Sequence, residues 1–199
     1  MSTDHELLRT LERDFRVVAE RAGKWLACGP GCSDCCHGPF PITRLDVERL
    51  RRGLAELRAR DPLRAGALAA RAAVTKQRLA EGFPGDEPNG RLDGEQRALD
   101  AYFERHRSLA CPVLDPDSGC CELYDARPVS CRNYGPPLRF GDVDSAPCNL
   151  CFRGADDRTV EDCRLTPDPD GLEQAILAGM GVAPGEEWET LIAYAVGYL

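Results

Sequence analysis

The 199-residue sequence has no apolar run near the roughly 18 residues that a membrane-spanning helix needs. Its first residues, MSTDHELLRTLERDFRVVAE, carry charge throughout and contain no apolar leader segment. Positive charge is not in excess. Lys+Arg 25 against Asp+Glu 33 leaves a net charge of −8, which disfavours nucleic acid or anionic lipid as a partner. No alternation of strand and helix patterns is visible, so a parallel-sheet enzyme fold is not expected. There is no glycine-rich phosphate loop, no catalytic triad and no carboxylate pair in a recognisable frame, so no catalytic residue is assigned. Histidine is scarce, with three in the chain. These absences lead to the expectation of a cytoplasmic protein with no membrane and no nucleic-acid partner.

Cysteine is absent locally rather than globally. None of the 11 cysteines falls in 1–27, 37–110 or 164–199; all lie in 28–36 and 111–163. With 43% hydrophobic residues the chain can bury a core without disulfides, and a reducing compartment would keep its thiols free. Small buried hydrophobes would not gather in Gly- and Pro-rich loops, so metal ligation is the leading use for the thiols. Redox thiols, including a vicinal Cys35–Cys36 disulfide, are the competing one.

The cysteine-poor stretches read as helix. Leu7, Leu8, Leu11, Phe15, Val18 and Ala22 recur at three- and four-residue spacing over 5–22. A second helix is expected from Thr43, with Asp46 completing a capping box and Leu45, Val47, Leu50, Leu54 and Leu57 forming its stripe. A third starts at Asp61-Pro62 and runs through 63–80. The Gly- and Pro-rich 82–94 reads as a flexible loop. Helix is expected again at 95–108, with Leu99, Tyr102 and Phe103 on one side. Two C-terminal helices are expected at 169–180 and 185–198, the latter with Trp188, Leu191, Ile192 and Val196 on its apolar face. Residues 111–165 lack sustained period and need another source of order, which metal ligation supplies. The expected architecture is a mainly α single domain over 1–199. In it a small helical scaffold holds two cysteine-rich irregular segments that converge on a metal centre. The metal-binding region spans 28–163 and a helical segment follows at 169–199.

In Cys28-Gly-Pro-Gly-Cys32-Ser-Asp-Cys35-Cys36-His37 the spacings let one turn of backbone bring several sulfurs to one ion, with Gly29, Pro30 and Gly31 forming the turn. In extended backbone Cys35 and Cys36 would point to opposite sides, which assigns them to two metals or to a metal and a second group. The turn Asp115–Gly119 would fold Cys111 back beside Cys120 or Cys121. Arg127 and Arg132 flank Cys131 and are expected to balance thiolate charge from just outside the ligands; an ion pair with Asp125 or Glu122 is the plainer account. His37 reads as a ligand, a donor to the site or a turn residue, and His5 and His106 read as surface. The arginine run Arg49, Arg51, Arg52, Arg58 and Arg60 reads as a solvated helix face.

The succession Cys-x3-Cys-x2-Cys-Cys, Cys-Pro-x-Leu and Cys-x-Leu-Tyr-x-x-Arg-Pro-x-x-Cys-Arg resembles the YkgJ-type cysteine-cluster family, a zinc- or iron-chelating domain, from about Cys28 to Cys151. The resemblance implies eight cysteine ligands for zinc or iron. Cys28, Cys32, Cys35, Cys36, Cys111, Cys121, Cys131 and Cys148 fall on that set, and Cys120, Cys151 and Cys163 stand outside it. The functions that follow are an iron–sulfur or iron protein in electron transfer or redox chemistry, with a protein redox partner and, as an enzyme, an iron–sulfur oxidoreductase. A structural zinc module acting as a partner-binding adaptor is the alternative. A methylase-like protein-modifying role ranks last; flagellin lysine N-methylases contain a similar cysteine cluster. Cys28-x3-Cys32-x2-Cys35 also has the spacing of the radical S-adenosylmethionine motif, whose strand–helix barrel this mostly helical sequence does not supply.

Overall fold

A computed structural model describes residues 2–183 and 187–197. In chain order its elements are α1 (Ser2–Ala22), β1 (Ile42–Thr43), α2 (Arg44–Arg60), α3 (Pro62–Ala80), β2 (Gly85–Asp86), β3 (Arg91–Leu92) and α4 (Gln96–Arg105). There follow α5 (Val129–Asn133), β4 (Leu138–Phe140), β5 (Val143–Ser145), α6 (Asp157–Asp162), α7 (Leu172–Gly179), β6 (Glu189–Thr190) and α8 (Ile192–Val196). The protein is mainly α with minor sheet. Among the described residues no helix is long and apolar enough to cross a membrane. The chain forms two compact units, one of residues 1–32 and 129–183, the other of 33–128 and 184–199.

In the second unit, helix start signals act as the residues dictate. Thr43 caps α2 by accepting from the Asp46 amide at 3.4 Å while its own amide donates to Asp46 Oδ2. Asp61 caps α3, with Pro62 in its first turn. Leu50, Leu54 and Leu57 of α2 pack with Ala65, Leu68 and Ala72 of α3 and with Ile192, Ala195 and Val196 of α8. Each fully buried leucine contributes on the order of 1.5–3 kcal/mol. Val113 and Leu123 enter the same core, with Cys111 and Cys121 packed against it. A thiol segment is thereby anchored to the helices.

Four expectations for this unit are corrected. The 82–94 segment is a hairpin, β2–β3, joined to a four-stranded antiparallel sheet of order β1-β6-β3-β2. The expected helix 185–198 is in part strand, because Glu189 and Thr190 pair with Thr43 and Ile42; only Ile192–Val196 is helical. Residues 184–186 and 198–199 lie outside the described residues. Arg49 is not on a solvated face: it is buried, donating to Asp46 Oδ1 at 2.8 Å, so the carboxylate that caps α2 also neutralises it. His106 is not plain surface either. Its ring lies 4.7 Å from that of Tyr102 and its Nε2 is buried without a hydrogen-bond partner.

In the first unit α1 buries Leu7, Leu11, Val18 and Ala22, as its periodicity requires. Val18 and Ala22 belong to a core with Cys148, Cys151, Phe152, Cys163 and Leu165. The stretch expected to be irregular contains α5, the β4–β5 hairpin and α6, all short. Regular structure there ends within a few residues because Gly and Pro interrupt it.

Candidate metal centre

In the first unit two turns carry thiols. The Cys32 amide donates to the Gly29 carbonyl at 3.0 Å, closing the loop that starts at Cys28. Gly31 supports it with φ +84°, a conformation that glycine adopts at no steric cost. The second turn is Cys148-Asn-Leu-Cys151. The Cys151 amide donates to the Cys148 carbonyl at 2.8 Å, and the Leu150 amide approaches Cys148 Sγ at 3.5 Å. An N–H aimed at sulfur favours the thiolate and fixes its direction.

The two turns meet. Cys28 is exposed as a whole residue, but its sulfur lies 3.9 Å from Cys151 Sγ and 3.8 Å from the Tyr134 carbonyl. Gly135, at φ +130°, allows that approach: a Cβ there would stand 2.6 Å from Cys28 Sγ. The same glycine's carbonyl accepts from the Cys148 amide at 3.0 Å. Loss of water around the sulfur, then the neighbouring Cys151, Cys32 and Cys148, push the Cys28 thiol up to about 12. Three other sulfurs of this unit thus bear on Cys28. Cys151 is the residue that sequence reasoning set aside, although its two-residue spacing from Cys148 is itself a ligand spacing.

In the second unit Cys35 and Cys36 lie in a 3-10 turn, Asp34–Cys36, closed by the Cys36 amide on the Ser33 carbonyl at 2.8 Å. This corrects the expectation that the pair diverges. Successive side chains in a 3-10 turn stand about 120° apart rather than opposite. The adjoining Cys36 thiol first, then burial, pushes the Cys35 thiol upward. The Cys111 amide donates to the Cys36 carbonyl at 2.7 Å, and Gly38 donates to Leu109 at 2.8 Å. This short ladder sets Cys111 against the turn. The Asp115 turn then returns the chain as expected, with Asp115 accepting from the Asp117 amide and the Ser118 hydroxyl. Leu114 and Cys121 form an antiparallel bridge. Burial pushes Cys111 up to about 12, with Cys121 and Cys35 adding to it; Cys121 is also raised, chiefly by burial.

Arg127 is the nearby counter-charge: it eases the ionisation of both Cys35 and Cys121 and stacks 3.7 Å from the Tyr124 ring centroid. Arg132 is buried and donates to Glu12 Oε1 of α1 at 2.6 Å. His37 bonds through Nδ1 to the Ser33 carbonyl at 3.0 Å, within its own turn. Cys131 is half-buried on α5. Cys120 is exposed, its thiol donating to the Ser118 carbonyl at 3.6 Å. Cys163 is buried in the first unit's core, raised by desolvation, with Arg21 and Asp162 as its charged neighbours. Sequence reasoning missed a clamp from α3. Arg64 donates to Glu122 Oε1 at 2.6 Å, while Arg71 bonds Glu122 Oε2 and the Pro112 carbonyl. Arg64 and Arg71 are seven residues apart, hence on one helix face, and that spacing was the available signal.

Among the described residues no three Cys, His, Asp or Glu side chains already stand as a closed ligand set. The donor chemistry nevertheless fits a soft metal: sulfur predominates, and Gly135, where a Cβ would stand 2.6 Å from Cys28 Sγ, keeps that side of the sulfur clear. A mainly α chain with grouped thiols, amides directed at sulfur and a cationic neighbour has the composition of a cysteine-ligated metal protein. The chain belongs to the family described as a putative zinc- or iron-chelating domain, CxxCxxCC, whose model matches residues 27–149. No curated protein and no solved structure matches it. Metal chelation is thus its class of function.

Proposed function

We propose that the protein holds iron through cysteine thiolates, as an iron–sulfur cluster or an iron centre, and works in electron transfer or redox chemistry. The observation that carries this reading is the grouping of sulfur donors, with Cys28 Sγ 3.9 Å from Cys151 Sγ, and Arg127 as a cationic neighbour of Cys35 and Cys121. Thiolates concentrate negative charge, and a fixed guanidinium offsets it and tunes the centre from outside the ligands. When bound, iron in a sulfur environment supplies one-electron chemistry. The chain's own residues would ligate it, hold the sulfurs at fixed directions through backbone amides, and limit water at Cys111. Such thiols need a reducing, cytoplasm-like compartment to stay free.

A structural zinc site serving a partner-binding adaptor is the second reading. The Cys148–Cys151 turn favours it, since closed turns of this spacing suit tetrahedral structural zinc. Anaerobic purification separates the two. Iron with acid-labile sulfide and a brown colour is expected; a colourless protein with stoichiometric zinc and no sulfide would refute the iron reading and leave the adaptor.

A further inference from the structure

We infer that the chain carries two separate four-sulfur sites, Cys28/Cys32/Cys148/Cys151 in the first unit and Cys35/Cys36/Cys111/Cys121 in the second. The inference rests on the reading that these thiols bind metal, and it adds which sulfurs act together. Its first support is the division of the chain between Cys32 and Ser33, which cuts through the unbroken run 28–36. A motif that looks like one ligand loop therefore contributes two sulfurs to each unit. The second support is the neighbour pattern. Cys28 Sγ lies 3.9 Å from Cys151 Sγ, while the Cys36 carbonyl accepts from the Cys111 amide at 2.7 Å and the Leu114–Cys121 bridge returns Cys121 beside the Cys111 segment.

Four is also the number that a tetrahedral thiolate site requires, and sulfurs on one such ion sit roughly 3.8 Å apart. The Cys28–Cys151 separation, 3.9 Å, matches that spacing. Cys151 lies beyond the matched 27–149 segment, so the first site extends past the family's own boundary. Cys120 turns to Ser118 and Cys163 joins the core. The inference assigns its eight sulfurs without Cys131, which is half-buried on α5.

The arrangement gives each site its own control. Gly135 serves the first site alone, by making room for Cys28 Sγ. The Arg64/Arg71–Glu122 clamp serves the second alone, by holding the 112–122 loop to α3. Two sites built on different units and different supports can load independently.

Cobalt(II) titration of the metal-free full-length protein tests this, because thiolate-to-cobalt absorption counts both ions and sulfurs whichever metal is native. Wild type is expected to take up two equivalents, each with a tetrathiolate spectrum. Cys151→Ser and Gly135→Ala should each weaken one equivalent at least tenfold and leave the other unchanged. Cys121→Ser should do the reverse, and Cys131→Ser should retain both. Circular dichroism of each variant identifies any that fails to fold, and Gly135→Ala tests the first site with every sulfur still present. One equivalent in wild type, loss of both in Cys151→Ser, or loss of one in Cys131→Ser would overturn the partition while leaving metal binding intact. No uptake by folded wild type would overturn both the partition and the metal reading.

Discussion

Eleven chemically identical side chains become different groups once their surroundings differ. Cys120 faces solvent, Cys163 fills a core, and Cys111 sits where burial drives its thiol to about 12. A consequence is a pH dependence of the metal-free protein. In the unfolded chain these thiols ionise near the ordinary value of 9.0, whereas folded Cys28 and Cys111 hold their protons up to about 12. Between those limits the native state binds more protons than the unfolded one, so stability is full below pH 9 and falls as pH rises. The expected loss reaches up to about 1.4 kcal/mol per pH unit at Cys111. Urea midpoints of the metal-free protein at pH 8 and pH 10 measure it. Metal-loaded protein, its thiolates already deprotonated, should show a flatter profile; equal slopes would refute the account.

At the scale of elements, helices set the sulfur-bearing loops. Helix α3 uses one face for Leu68 and Ala72 in the core and another for Arg64 and Arg71 on Glu122. Glu122 lies outside the α-helices and strands, yet its side chain is 2% exposed because two guanidinium groups replace its water. Replacing Glu122 by Gln should cost about 1–3 kcal/mol, since two charge-assisted bonds are weakened at a buried oxygen pair. It should also weaken metal binding at Cys111 and Cys121 while sparing Cys28 and Cys148. Denaturant unfolding together with metal titration reads both effects, and undiminished affinity would show that the clamp is structural only. Helices α1, α2 and α3 and their caps were legible from sequence, because periodicity and capping are local. The β2–β3 hairpin and β6 were not. Two-residue strands such as Glu189–Thr190 exist only because partners at Ile42, Thr43 and Leu92 are brought to them.

At the scale of the molecule, order comes from two sources. The helices of the second unit bury a continuous apolar core and do not need metal to persist. The loops around Cys28, Cys36, Cys121 and Cys148 rest on a few hydrogen bonds and, on the proposed reading, on ligation. Chelation should therefore leave most helical circular dichroism in place while opening 28–38 and 111–151 to protease. Limited proteolysis with mass spectrometry locates the cuts, and protection equal to that of the loaded protein would show that metal does not order these loops.

The sequence by itself determined the helical scaffold, the cysteine-bearing segments and the kind of metal chemistry they support. Those depend on residue type and short-range spacing, which the chain carries in linear order. Only the tertiary structure decided that Cys151 stands beside Cys28, that Arg132 donates to Glu12, and that Arg64 and Arg71 clamp Glu122. Those contacts join residues as much as 123 positions apart, so packing rather than local preference selects them.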